Sequence, residues 1–281
     1  ASYQVSTGSV QLAASPTLSV LYHDTAVQIL GAAESLTFTQ QVEQVACGVN
    51  HVAVLLRGEG QAMSLQVYDK AGTQTDQMDF PDGELMDFGF AQTQDDTLWT
   101  LEMAPAGSLP LSNLATNHTT GVMTIQGQLV DQVWFTQNSI FFSCTNNLIR
   151  FTRTGNTEAY RLLVYGWELC DVSTAGSTPL FLYRERGAAG TSGTVKIYAL
   201  PEGETASATV SAVQLPAGTL GAFLAGGNLY ACTQDTLYVY SSTGKQTNAV
   251  ALPRTVDRAQ RLSETHLLLT GGNGLYVAAL R

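Results

Sequence analysis

Any chemistry in this chain would have to rest on carboxylates. When the apolar runs of the sequence are laid over one another, Glu43, Asp131 and Asp171 fall near the entry of equivalent runs, and Asp87 and Asp257 fall a residue or two away. Five acids gathered at one channel mouth would attract a cation or a basic peptide. Two of them in one pocket would suit a hydrolase or lyase acting on a glycan or peptide, with a bound metal as an option. The plainer role for each is to accept hydrogen bonds from backbone N–H groups in the turn entering its own unit. A second constellation is Trp167 and Glu168 beside the charged loop 184–193 (RERGAAGTSG), which carries Arg184 and Arg186; 57–61 (RGEGQ), with Arg57, is its shorter analogue. An aromatic among charged loops is the composition of a recognition surface.

Catalytic signatures are otherwise missing. No G-x-S-x-G, H-E-x-x-H or P-loop occurs, and His23, His51, His118 and His266 are scattered, with His51 and His266 at equivalent repeat positions. The acidic stretch 76–87 (DQMDFPDGELMD) lacks the spacing of a calcium loop. Asn117-His118-Thr119 is a lone glycosylation sequon. Cys47, Cys144, Cys170 and Cys232 show no C-x-x-C spacing, and the expectation is four free, buried thiols packed as small apolar residues. A net charge of −10 with three lysines disfavours a surface that tracks nucleic-acid phosphates.

The elements that must position these residues recur about every 40 residues, the period of a β-propeller blade. The clearest unit runs through 221–225, 228–233 (NLYACT), 236–240 (TLYVY) and 247–252 (TNAVAL), strand-length runs bounded by Gly, Asn, Asp or Ser. Copies follow 51–57 (HVAVLLR) with 65–69 (LQVYD), 139–144 (SIFFSC) with 148–152 (LIRFT), and 179–183 (PLFLY) with 194–198 (TVKIY). Hydrophobic content of 44% against 13% charged residues, with 26 Gly to turn the chain, suits sheets packed face to face. The expectation is a single all-β domain, a seven-bladed β-propeller of four-stranded antiparallel blades at about 9–44, 45–82, 83–126, 127–164, 165–215, 216–253 and 254–281. The last would lack one strand, which residues 3–6 (YQVS) would supply, closing the ring and covering two open edges.

The units LQVYDKAG, LIRFTRTG and LYVYSSTG resemble the divergent repeats of WD40-like and quinoprotein-like propellers. The Gly-His and Trp-Asp pairs of the first family are replaced by Asn50-His51 and Tyr68-Asp69. The docking Trp of the second is missing after Thr243-Gly244, so neither a pyrroloquinoline nor any other cofactor is expected. Segments 119–135 (TTGVMTIQGQLVDQVWF) and 160–173 (YRLLVYGWELCDVS) are similar to uncharacterised propeller domains of Gram-positive anaerobes. That resemblance implies an extracytoplasmic domain tethered by an N-terminal membrane helix removed upstream of Ala1, with no activity to transfer. The reading it leaves is a non-catalytic binding or scaffolding propeller. Its partner would be a protein, peptide or glycan met on the face bearing Trp167, Arg184 and Arg186.

Overall fold

A computed structural model describes residues 10–82, 85–91, 96–103, 108–113, 118–125, 129–154, 157–187, 193–202, 207–272 and 274–280. Six consecutive four-stranded sheets follow one another along the chain, each an antiparallel meander. Their innermost strands are Gln11–Ala14, Gln41–Cys47, Leu85–Phe90, Val130–Phe135, Trp167–Ser173 and Gly221–Ala225. A last sheet holds three strands, Arg258–Ser263, His266–Gly271 and Gly274–Ala279. The expected seven four-stranded blades are therefore six among the described residues. The seventh sheet is one strand short, and the segment 3–6 expected to complete it lies outside the described residues.

Second strands hold the core, for a reason visible in their composition. His51–Arg57 buries five consecutive residues, Val52 to Leu56, because both faces of its sheet are covered. Alternate side chains leave on opposite faces. Val52, Val54 and Leu56 join Val20, Ile29 and Val45 on one side, while Ala53 and Leu55 join Leu65, Phe88 and Leu98 on the other. Asn228–Cys232 repeats the device: Leu229 and Ala231 pack with Leu182 and Ile197, and Tyr230 and Cys232 with Val256 and Leu269. Each fully buried Val or Leu contributes ~1.5–3 kcal/mol of transfer free energy. Outermost strands are polar by contrast, and Gln246–Ala251 is exposed along its whole length.

The chain divides into two compact units. The first contains the first three sheets and is held internally by polar latches between neighbouring sheets. Asp96, 7% exposed, accepts the amides of Val49 and Asn50 and pairs with His51 Nδ1 at 2.7 Å. Ser15 and Thr17 donate from the first sheet to the carbonyls of Gly48 and Val49, each at 2.7 Å. The second unit contains the fifth and sixth sheets and the three-stranded one. Three strands of the fourth sheet have residues in both units, and its last, Glu158–Leu163, lies in the second.

One feature of the innermost strands escaped the sequence pattern. Four of them carry a single extra residue, a β-bulge, at Glu43, Met86, Cys170 and Leu262. A bulge shifts every following side chain by one place relative to its neighbour. Glu43 is thus the counterpart of the bulged Cys170, and Gln44, Asp87, Asp171 and Ser263 share the position after it. The expected equivalence of Glu43 with Asp171 is corrected accordingly.

Candidate functional site

In the second unit, three innermost strands meet around Arg261. Arg261 Nη2 lies 2.9 Å from Asp171 Oδ1, and Nη1 donates to the carbonyls of Val172 at 2.7 Å and Leu224 at 2.9 Å and to Glu264 at 3.3 Å. The second oxygen of Asp171 accepts the Leu224 amide at 2.8 Å, and Glu264 accepts Ser173 Oγ and the Gly226 amide. Burial pushes the Asp171 carboxyl above its ordinary value, and the Arg261 charge and backbone donors pull it back. This guanidinium ties the inner strands of the fifth, sixth and last sheets together. Both of its Nη groups are spent on the scaffold.

Beside this node opens a cavity of 640 Å3, within the range of ligand pockets. Its walls are Leu182, Val195, Leu215, Leu220, Ala222 and Phe223. The sixth sheet begins with small residues: Ala222 leaves room where a larger side chain would fill the cleft, whereas the space at Gly221 is taken by Phe223. Phe223 folds back along its own strand, so that a Cβ added at Gly221 would fall 2.4 Å from its ring. Polar and charged groups also line the cavity, among them Cys170, Asp171, Arg184, Glu185, Gln260 and Arg261. Cys170 is exposed, a correction to the expectation of four buried thiols; it is the bulge residue, so its side chain is released from the alternation of its strand. Desolvation raises its thiol above the ordinary value, whereas burial pushes Cys47, Cys144 and Cys232 up to about 11.

The remaining sequence candidates fall into pairs. Arg184 lies opposite Glu168 in the register of the fifth sheet and donates from Nε to its carboxylate. In the first unit Arg57 grips Glu43 through Nε, at 2.8 Å, and Nη2. Two loops judged analogous in sequence thus use the same ion pair between first and second strands. Trp167 is half-buried under Lys196, whose Nζ sits 3.9 Å from the ring centroid, and Arg186 donates to the Thr145 carbonyl at 2.6 Å.

Of the five acids, Asp171 alone lines the cavity. Asp87 accepts its neighbour Phe88's amide at 2.9 Å and a longer contact from Gln44, and Asp257 accepts the Gly272 amide at 3.3 Å. Asp131 is raised by desolvation, with Arg186 opposing. Among the described residues no three His, Cys, Asp or Glu side chains are placed to hold a metal ion.

Arg261, Glu264 and Phe223 were missed by the sequence reading. An arginine inside an innermost strand with a glutamate three residues on was the available signal for the first two, and the small-residue run 221–225 the signal for the cavity.

No protein-family model matches the chain, and no curated protein resembles it closely enough in sequence to count as a relative. Solved structures do resemble it. The Dos1 propeller shares 10% identity over 95% of this chain and 79% of its own, with a TM-score of 0.60. A chain of the mitotic checkpoint complex shares 13% over 96% and 90%, at 0.57. Hsv2 of Kluyveromyces lactis shares 11% over 84% and 72%, at 0.55. The fold is a β-propeller. At such identities the likeness concerns architecture, and function must be argued from the site.

Proposed function

We propose that this chain is a non-catalytic binding or scaffolding propeller whose docking site is the cavity beside Arg184 in the second unit. The observation that carries the reading is the lining of that cavity: Phe223 and several aliphatic side chains on one part of the wall, with Asp171, Arg184, Glu185, Gln260 and Arg261 on the rest, a mixed lining able to hold a partner's side chain and fix its orientation. The likeness to a chain of the mitotic checkpoint complex, an assembly by its name, is in keeping with a protein partner. The carboxylates support binding better than catalysis, because Asp87, Asp171 and Asp257 are each engaged by separate backbone or guanidinium donors.

The same proposal includes the finer architecture and setting. Strand Gly274–Ala279 forms the edge of its three-stranded sheet, with Leu275 and Val277 exposed, and we take residues 3–6 to pair along it and complete a seventh blade. The extracytoplasmic, membrane-tethered setting follows from the resemblance to domains of Gram-positive anaerobes. Surface labelling of intact source cells tests it: the reading requires the domain to be labelled without lysis.

The docking site is tested by filling it. Ala222→Leu adds bulk toward the cavity while keeping an apolar strand residue. Ligands selected from a displayed peptide library on the wild-type protein should lose binding at least tenfold on this variant at unchanged melting temperature. Ligands bound equally by both proteins would place the binding surface elsewhere and overturn the assignment.

A further inference from the structure

The cations of the fifth and last sheets are not equivalent. Arg261 spends its guanidinium on Asp171, Glu264 and two backbone carbonyls. Arg186 donates to the Thr145 carbonyl, and Lys196 sits over Trp167. Arg184 differs: its Nε is bound to Glu168, while among the described residues its two Nη groups have no hydrogen-bond partner, and the side chain is 44% exposed. Strand alternation sets Arg184 on the same face as Leu182, and it pairs across the sheet with Val195, so the spare donors stand at the margin of the apolar walls. Glu185, the next residue and the partner of Trp167 in register, also lines the cavity, and the spare donors of Arg184 stand at that edge beside it.

A guanidinium held through Nε keeps a planar edge of N–H donors, the geometry that carboxylates accept in bidentate fashion. Gln260, exposed at the same cavity, adds a carboxamide able to meet a peptide backbone group. Resting on the binding reading above, we propose that the cavity seats an extended peptide carrying a large apolar side chain and, close to it in sequence, a carboxylate. The apolar group enters between Leu182, Val195 and Phe223, and the carboxylate binds the free edge of Arg184. A 640 Å3 volume is roughly 9 Å across, and an extended chain rises ~3.3 Å per residue, so the two groups lie within about two residues of each other. Of the acids lining the cavity, Asp171 is paired with Arg261, and charges more than about 8 Å away are largely screened at physiological salt.

The test is selection of a random peptide library on the immobilised wild-type chain, with binders to Ala222→Leu subtracted. Affinities of the enriched peptides are then measured by fluorescence anisotropy on wild type, Arg184→Gln and Arg184→Lys. Enriched peptides should pair Leu, Ile, Met or Phe with Asp, Glu or a free C-terminus. Replacing that Asp or Glu by its amide, or amidating that C-terminus, should cost at least tenfold on wild type and less than twofold on Arg184→Gln. Arg184→Lys should fall between, having lost the planar fork. Cavity-dependent peptides without an acidic group, or an acidic preference unchanged in Arg184→Gln, would overturn this inference and leave the binding site standing. A library yielding no cavity-dependent peptide would overturn both.

Discussion

Replacing Arg261 with methionine isolates the node that joins three inner strands. Methionine keeps most of the apolar stem and removes the charge, so packing changes little. Two carbonyls, Val172 and Leu224, lose a donor, and the Asp171 carboxylate, with its side chain 15% exposed, loses its counter-ion. An orphaned carbonyl costs about 1 kcal/mol where water reaches it in part, and the uncompensated carboxylate about as much or slightly more, for a total near 3 kcal/mol. For a domain of this size each kcal/mol moves the melting temperature by about 2–3 °C, so differential scanning calorimetry should find a fall of about 6–9 °C.

The pH dependence gives a sharper signature. Asp171 has a folded-state value already raised by burial, and the variant removes the Arg261 charge that opposed the rise, so its value climbs further. A carboxyl that binds its proton more tightly folded than unfolded lowers stability as pH rises through the interval between the ordinary and raised values, and returns that stability on acidification. The deficit of Arg261→Met should therefore narrow as pH falls from 7 into that interval, and Asp171→Asn in the same background should recover part of the loss at pH 7. A loss below 2 °C, or a deficit constant with pH, would refute the reasoning that Arg261 compensates a desolvated acid.

Further outcomes follow from the same contacts. Gly271→Ala places a Cβ 2.3 Å from the Thr255 carbonyl oxygen and 3.0 Å from Val256 Cα, both backbone atoms, so it should cost about 3 kcal/mol and show as a melting temperature lowered by several degrees. Asp96→Ala strips the acceptor from two amides and His51, and urea unfolding should report a loss of about 2 kcal/mol, with no change expected only if the latch is idle. Brief alkylation of the native protein at pH 8 should mark Cys170 alone by mass spectrometry, because Cys47, Cys144 and Cys232 are buried and titrate at about 11; label on any of those three would contradict their burial.

What could be read from sequence followed the strength of each periodic signal. The Tyr-bearing runs LQVYD and TLYVY lie within observed strands Met63–Asp69 and Thr236–Ser241, because alternating apolar residues between turn formers leave few other conformations. Second strands were equally plain, being unbroken apolar runs. The site was harder. A one-residue bulge has no signature in composition, and the bulges at Glu43 and Cys170 undid the alignment of the acids. A cavity is a property of what is absent, and Ala222 showed its value only once set beside Leu182 and Val195. Arg184 and Glu168, both singled out from the sequence, stand opposite each other on adjacent strands.

The most direct test of the binding assignment is a crystal structure of the chain with a peptide whose affinity depends on Ala222. The binding reading predicts an apolar side chain of the peptide inside the cavity against Phe223, Leu182 and Val195. A peptide seated on any other surface, with the cavity walls undisturbed, would contradict it.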